Sequence, residues 1–163
     1  MNIVPARKLR AIAVAAAAAF AVAALGALVT NLGPWYYALR KPSWQPPDWL
    51  FGPAWTLIFA CAALAGYRAW MAAPDRTNRI WITTFFAINA LLNVAWSSLF
   101  FRIQRPDWAL VEVFLLWLSI ALLIVMLWRF SAAAAWLLVP YLAWVTFAGI
   151  LNFTVVRLNH PFS

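Results

Sequence analysis

Of 163 residues, 67% are hydrophobic and only 10% charged, whereas a soluble domain carries roughly 45–50% apolar and about 25% charged residues. So few charges do not cover a water-facing surface, and lipid is the solvent that fits. The net charge of +8 does not mark a nucleic-acid binder: almost all the basic residues, Arg7, Lys8, Arg10, Arg40, Lys41, Arg76, Arg79, Arg102, Arg105, Arg129 and Arg157, fall between apolar runs, where juxtamembrane anchors meet headgroups, and no solvated basic face exists.

A transmembrane helix requires about 20 mostly apolar residues. Five stretches qualify, at about 9–29, 50–70, 80–101, 108–128 and 132–156. The first follows Arg7, Lys8 and Arg10 and is rich in alanine. That pattern, ending on Ala24-Leu25-Gly26-Ala27, also fits a secretory signal peptide. The apolar run is longer than a signal core, however, and its small residues suit close packing in lipid, so a first membrane helix is the preferred reading. Ala15, Ala19 and Ala23 at spacing four, with Gly26 a turn further on, offer a contact face for a second copy. A homodimer is therefore expected, with the third stretch as the rival contact surface.

The connection over 30–49 contains Pro34, Pro42, Pro46 and Pro47, interleaved with Trp35, Tyr36, Tyr37, Trp44 and Trp49. Proline restricts the backbone and removes donors, which predicts a rigid cap folded over one end of the bundle. The alternative is an interfacial aromatic belt that needs no ligand. The remaining links are short: 71–79 holds Pro74 and Asp75, 102–107 holds Pro106, and 129–131 barely permits a turn, so the fourth and fifth stretches must be antiparallel neighbours. The expected fold class is all-α: an integral membrane bundle of five transmembrane helices forming a single domain over 1–163. The distribution of Lys and Arg favours a cytoplasmic N-terminus. Helical bundles normally sit in a bacterial inner membrane, since outer-membrane spanners are usually barrels.

Most catalytic constellations are excluded by residue type. The lone Cys61 permits neither an internal disulfide nor a thiolate metal site. The only histidine, His160, stands near the C-terminus, so no histidine metal cluster or haem ligation of the cytochrome kind is expected. No lysine falls inside the five stretches, which excludes a retinal-type Schiff base, and no Gly-rich phosphate loop is present. Neither a metal nor a cofactor is expected. Glu112 is the one ionisable intramembrane candidate. It reads either as a carboxylate near a helix N-terminus paired with Arg105 or as a transport residue.

What remains is aromatic and amide chemistry at helical spacing. Asn89, Asn93, Trp96 and Phe100 share one face of the third stretch. Tyr141, Trp144, Ala148 and Asn152 share one face of the fifth, and Phe51, Trp55, Phe59 and Ala62 one face of the second. Facing one another, the stripes would line an aromatic cavity with a few amide groups, the usual recipe for an apolar ligand site. Ordinary packing, with the amides bonded between helices, is the alternative for each stripe.

These residues carry a resemblance. Trp35-Tyr36, then Lys41-Pro42-Ser43-Trp44-Gln45-Pro46-Pro47, Phe51 and Trp55 resemble the first-loop signature of the translocator protein family, which includes the bacterial tryptophan-rich sensory proteins and the peripheral benzodiazepine receptor. Asn89, Asn93, Trp96 and Phe100-Phe101 resemble its third-helix pattern. Pro140-Tyr141, Trp144, Ala148 and Leu151-Asn152 resemble its fifth. The resemblance implies a five-helix bundle with a pocket under the first loop, commonly a homodimer. It also implies binding of porphyrins such as protoporphyrin IX, with sterols and benzodiazepine-type ligands as further partners. The implied ligand-binding residues are Tyr36, Trp44, Trp55, Asn89, Asn93, Trp144 and Ala148, to which the stripes add Trp96 and Tyr141. Trp55 and Trp144 match the tryptophans tied to light- and oxygen-dependent porphyrin breakdown, the one reaction the resemblance suggests. Two departures bear on sterols. Phe153 stands where the family's sterol-recognition pattern wants a tyrosine before Arg157, and Phe147 is bulky beside Ala148.

The resulting expectation is a membrane tetrapyrrole receptor or sensor that regulates tetrapyrrole metabolism. The rival readings are a passive transporter of porphyrins or sterol-like lipids and a regulatory partner of another membrane protein.

Overall fold

The computed structural model describes residues 6–162. The side chain of Arg7, one of the expected interfacial anchors, lies outside what is described. Every regular element among the described residues is helical. In chain order they are α1 (Ala6–Val29), α2 (Pro34–Ala38), a 3-10 turn (Asp48–Leu50), α3 (Phe51–Ala72), α4 (Arg76–Ser97) running into a π-helical turn (Ser98–Arg102), α5 (Pro106–Trp128) and α6 (Ala132–Asn159). Five of them, α1, α3, α4, α5 and α6, are long and apolar enough to cross a membrane. Because α1 begins at Ala6, Lys8 falls in its first turn rather than ahead of it, correcting the expectation that no lysine lies in a helix. Lys8 is exposed at the helix end, so no lysine is buried mid-membrane.

Short links with built-in stops enforce the antiparallel order. Asp75 caps α4: its carboxylate accepts from the backbone N–H of Asn78 at 2.8 Å and from Asn78 Nδ2 at 2.8 Å. Ser131 caps α6 by accepting from the N–H of Ala134 at 3.2 Å. Pro106 stands in the first turn of α5, where its missing N–H costs nothing. The three residues between α5 and α6 leave these helices packed along their length.

The core lies between α5, α6 and α3. Leu116, Ile120, Leu123 and Leu127 of α5 meet Ala134, Ala135, Leu138 and Val145 of α6, with Ala65 and Ala69 of α3 fully enclosed. Lipid tails are as apolar as leucine, so burying leucine here drives little. Close approach over alanine and bonded polar groups holds the helices instead. The outward residues of α5, among them Val111, Phe114, Leu118 and Val125, are exposed and face hydrocarbon.

The connection between α1 and α3 folds as a cap. Tyr36 on α2 is buried with Phe100, Ala109 and Val155. The cap is clasped to the end of α6 by Asn159, whose Oδ1 accepts from the Arg40 N–H at 2.8 Å and whose Nδ2 donates to the Arg40 carbonyl at 2.9 Å. The cap, the link after the π-helical turn and the end of α6 thus share one end of the bundle. The start of α1 and the links at 73–75 and 129–131 share the other.

The backbone bond from Asn78 holds the Asp75 carboxyl below the usual carboxylate range. With its folded pKa below the unfolded value of about 3.9, the stabilisation is complete above that pH and fades as pH falls. We predict that Asp75→Ala lowers the thermal midpoint at pH 7, and that the gap from the parent narrows as pH falls below about 3.9, as read by thermal unfolding in detergent.

Candidate functional site

Beneath the cap, α1, α3, α4 and α6 enclose a cavity of about 460 Å³, within the range of small-molecule sites. Small residues of α1 make the room: Ala23, Gly26 and Ala27 form one wall. Together with Ala15 and Ala19, which border a second recess, these place the stripe expected to meet a second copy along two spaces of the bundle. The opposite walls are aromatic.

Trp55 of α3 and Trp144 of α6 meet edge to face, with ring centroids 6.4 Å apart and planes at 81°. That geometry leaves no slot between them; together they make a right-angled corner. Trp55 stacks on Phe59 at 5.3 Å, and Phe51 packs edge-on against Trp144 at 5.7 Å. Trp144 Nε1 is buried without a hydrogen-bond partner among the described residues. An indole N–H buried without a partner costs free energy. On the α4 side, the π-helical turn brings Phe100 and Phe101 beside Trp96, with Trp96 and Phe100 at 5.5 Å. Such turns inside helices are frequent at functional sites.

The cap closes the cavity with a polar group. The Tyr36 hydroxyl donates to Asp48 Oδ1 at 2.8 Å, and Gln45 Nε2 donates to the Tyr36 oxygen at 3.3 Å. Burial, reinforced by Asp48, raises the Tyr36 phenol above its ordinary range, so the hydroxyl keeps its proton. The Lys41 ammonium lies 3.4 Å from the Tyr36 ring centroid, and burial lowers its pKa. Lys41 lines the cavity and Arg40 does not.

Of the nine expected ligand residues, Tyr36, Trp55, Asn93, Trp96, Trp144 and Ala148 line this cavity. Trp44 does not; it is 47% exposed and packs on Phe147, which in turn packs on Trp144. The bulky Phe147 therefore backs the aromatic corner. Asn89 and Tyr141 line a second recess in the far half of the bundle, between α1, α3 and α4, of about 550 Å³. Phe59 and Asn93 border both spaces. The amides are committed to helix contacts: Asn89 Nδ2 donates to Ser119 Oγ at 2.8 Å and Asn93 Nδ2 to the Tyr141 hydroxyl at 3.0 Å. Asn152 donates to the Pro106 carbonyl at 2.9 Å and accepts from the Leu110 N–H at 3.1 Å in the amide orientation that satisfies both atoms.

The expected pairing of Glu112 with Arg105 is not made. Arg105 forms a bidentate ion pair with Asp107, two residues on and nearer in the chain. Glu112 is buried almost two turns into α5, its carboxylate without a partner among the described residues. Gln45 and Asp48 were missed as site residues. Their signal was polarity inside an otherwise apolar, proline-bound segment. No group of three or more His, Cys, Asp or Glu among the described residues is placed to hold a metal ion.

A profile of the TspO/MBR family matches residues 12–158. The chain is similar to the tryptophan-rich protein TspO of Chlorobaculum tepidum, 45% identical over 77% of this chain and 80% of that one. It is also similar to the tryptophan-rich sensory protein of Cereibacter sphaeroides, 37% identical over 88% and 87%, and to the human translocator protein, 37% identical over 77% and 75%.

The Asn93–Tyr141 bond ties α4 to α6 at the floor of the cavity. Tyr141→Phe removes the acceptor and leaves the amide buried, so the protein should lose roughly 0.6–2 kcal/mol of stability, measured by unfolding in mixed detergent micelles. Asn93→Leu combined with Tyr141→Phe should cost less than the sum of the two single changes, because both delete one interaction.

Proposed function

The chain belongs to the TspO/MBR family, and on that premise we propose that it is a membrane receptor or sensor for tetrapyrroles, chiefly iron-free porphyrins, acting in the regulation of tetrapyrrole metabolism. The observation that carries the reading is the right-angled corner of Trp55 and Trp144 under the cap, with the Trp144 N–H unpaired. A planar, apolar ring lies against one indole while its edge meets the other. Lys41 at the cavity wall suits an anionic substituent. Asn93 and Trp96 add a polar and an aromatic edge, whereas Asn89, Tyr141 and Trp44 support the walls. No metal ligand is called for.

The same corner suits photochemistry. An excited porphyrin beside an oxidisable indole, with oxygen as oxidant, is a route to light-dependent breakdown of the ring, and Trp55 and Trp144 are the photochemical residues. We place the protein in a bacterial inner membrane as a homodimer. Since the small-residue face of α1 borders the two spaces of the bundle, the outward face of α4, with Trp81, Ile88 and Leu91 exposed, is the contact surface.

A second reading is a passive transporter of porphyrins or sterol-like lipids, with benzodiazepine-type ligands as further partners. It is favoured by the two spaces that share Phe59 and Asn93 as their border. Ligand flux across liposomes separates it from sensing.

Protoporphyrin IX should quench tryptophan fluorescence saturably. Trp144→Phe should keep most of the affinity, and Trp55→Ala should lose about 1–3 kcal/mol. Under light and oxygen, Trp55→Phe should slow porphyrin breakdown more than it weakens binding, because Phe supplies the flat face but not the oxidisable indole. Equal breakdown rates would remove the indole from the chemistry, and absent saturation would remove the porphyrin reading.

A further inference from the structure

The recess between α1, α3 and α4 has a shape and charge distribution unlike those of the cavity under the cap. It is half open, and its α1 wall runs from Arg10 to Val22, twelve helical steps or roughly 18 Å. That is slightly more than one leaflet of a hydrocarbon core about 30 Å thick. The recess begins at the bundle end opposite the cap, among Arg10, Tyr67 and Trp70, and stops near the mid-plane against Phe59, Asn93 and Tyr141. Its long sides carry small side chains, such as Ala15 and Ala18 of α1, Ala63 and Gly66 of α3 and Ala90 of α4. Missing volume along three neighbouring helices is what creates the trough.

We propose that this recess holds one acyl chain of an anionic phospholipid, whose headgroup lies at Arg10. An apolar trough one leaflet long fits a hydrocarbon chain that enters from the interface. Charge selects the headgroup. Arg10 stands at the mouth, and Lys8, Arg68 and Arg76 are exposed at the same end of the bundle. The acidic residue at that end, Asp75, is engaged in capping α4. Arg79 donates to the carbonyls of Trp70 and Ala73 at the end of α3 and so fixes that rim in place. Basic residues at the headgroup level attract anionic lipids, and the aromatic rings of Tyr67 and Trp70 suit the interface. This inference stands apart from the porphyrin reading, since Arg10, Ala15 and Ala63 do not line the cavity under the cap.

The test is native mass spectrometry of protein released into mild detergent from nanodiscs of phosphatidylglycerol or phosphatidylcholine. The parent should retain one phosphatidylglycerol per chain about fivefold more often than phosphatidylcholine, the preference expected for one basic contact. Arg10→Gln, a change at an exposed position, should abolish that preference. Ala15→Leu or Ala63→Leu should fill the trough and reduce retention of both lipids, with porphyrin quenching unchanged. Equal retention of the two lipids by the parent, or an unaltered preference in Arg10→Gln, would overturn the proposal. So would displacement of the retained lipid by protoporphyrin IX, which would make the recess a second ring site.

Discussion

In the hydrocarbon core no water satisfies a stray polar group, so each one must find its partner within the chain. The buried amides meet this constraint with a small set of links: Asn89 to Ser119 joins α4 to α5, Asn93 to Tyr141 joins α4 to α6, and Asn152 joins α6 to the start of α5, whereas the Glu112 carboxylate and Trp144 Nε1 stay without a partner among the described residues. Apolar packing alone sets no rotation in lipid, because each helix face is as content against a tail as against a neighbour. The amides set it. Once Asn93 must reach Tyr141, Trp96 and Phe100 one and two turns further along α4 face inward, and so do Trp144 and Ala148 on α6. The aromatic cavity is thus a consequence of where the polar groups go.

The cavity stays open because one wall is too small to fill it. Alanine and glycine on α1 leave space that the indoles of α3 and α6, already fixed against Phe59, Phe51 and Phe147, do not take up. The cap is held by two different means. Tyr36 is sunk beneath Lys41 and bonded to Asp48, while Asn159 grips the backbone at Arg40 from the far end of the chain. A ligand that enters from the cap end must therefore release these contacts.

The five spans were legible because hydropathy alone selects them, and the cap because dense proline restricts the backbone and so favoured a folded segment over an interfacial aromatic belt. The stripes were legible only in part. Helical spacing reports which face a residue occupies and says nothing of depth. Asn89 and Phe100 share a face of α4 yet stand roughly 16 Å apart along its axis, so Asn89 and Tyr141 border the far recess while Trp96 and Trp144 border the near one. Trp44 belongs to an aperiodic segment, where no rule fixes direction. The Arg40–Asn159 clasp joins residues 119 apart and leaves no local trace. For Arg105, the nearer Asp107 outcompeted Glu112, a local geometry that charge counting misses. The alanine face of α1 borders both spaces, and helical spacing alone does not say what meets it.

The central claim is that the ligand completes the corner at Trp144. The most direct measurement is the 15N-indole spectrum of the tryptophans, with the Trp144 signal assigned by Trp144→Phe, recorded as protoporphyrin IX is added. The account predicts that the Trp144 signal moves as the porphyrin ring packs against its indole and that the exposed indoles of Trp108, Trp128 and Trp136 stay in place. A Trp144 signal unmoved at saturation, with shifts confined to those lipid-facing indoles, would contradict it.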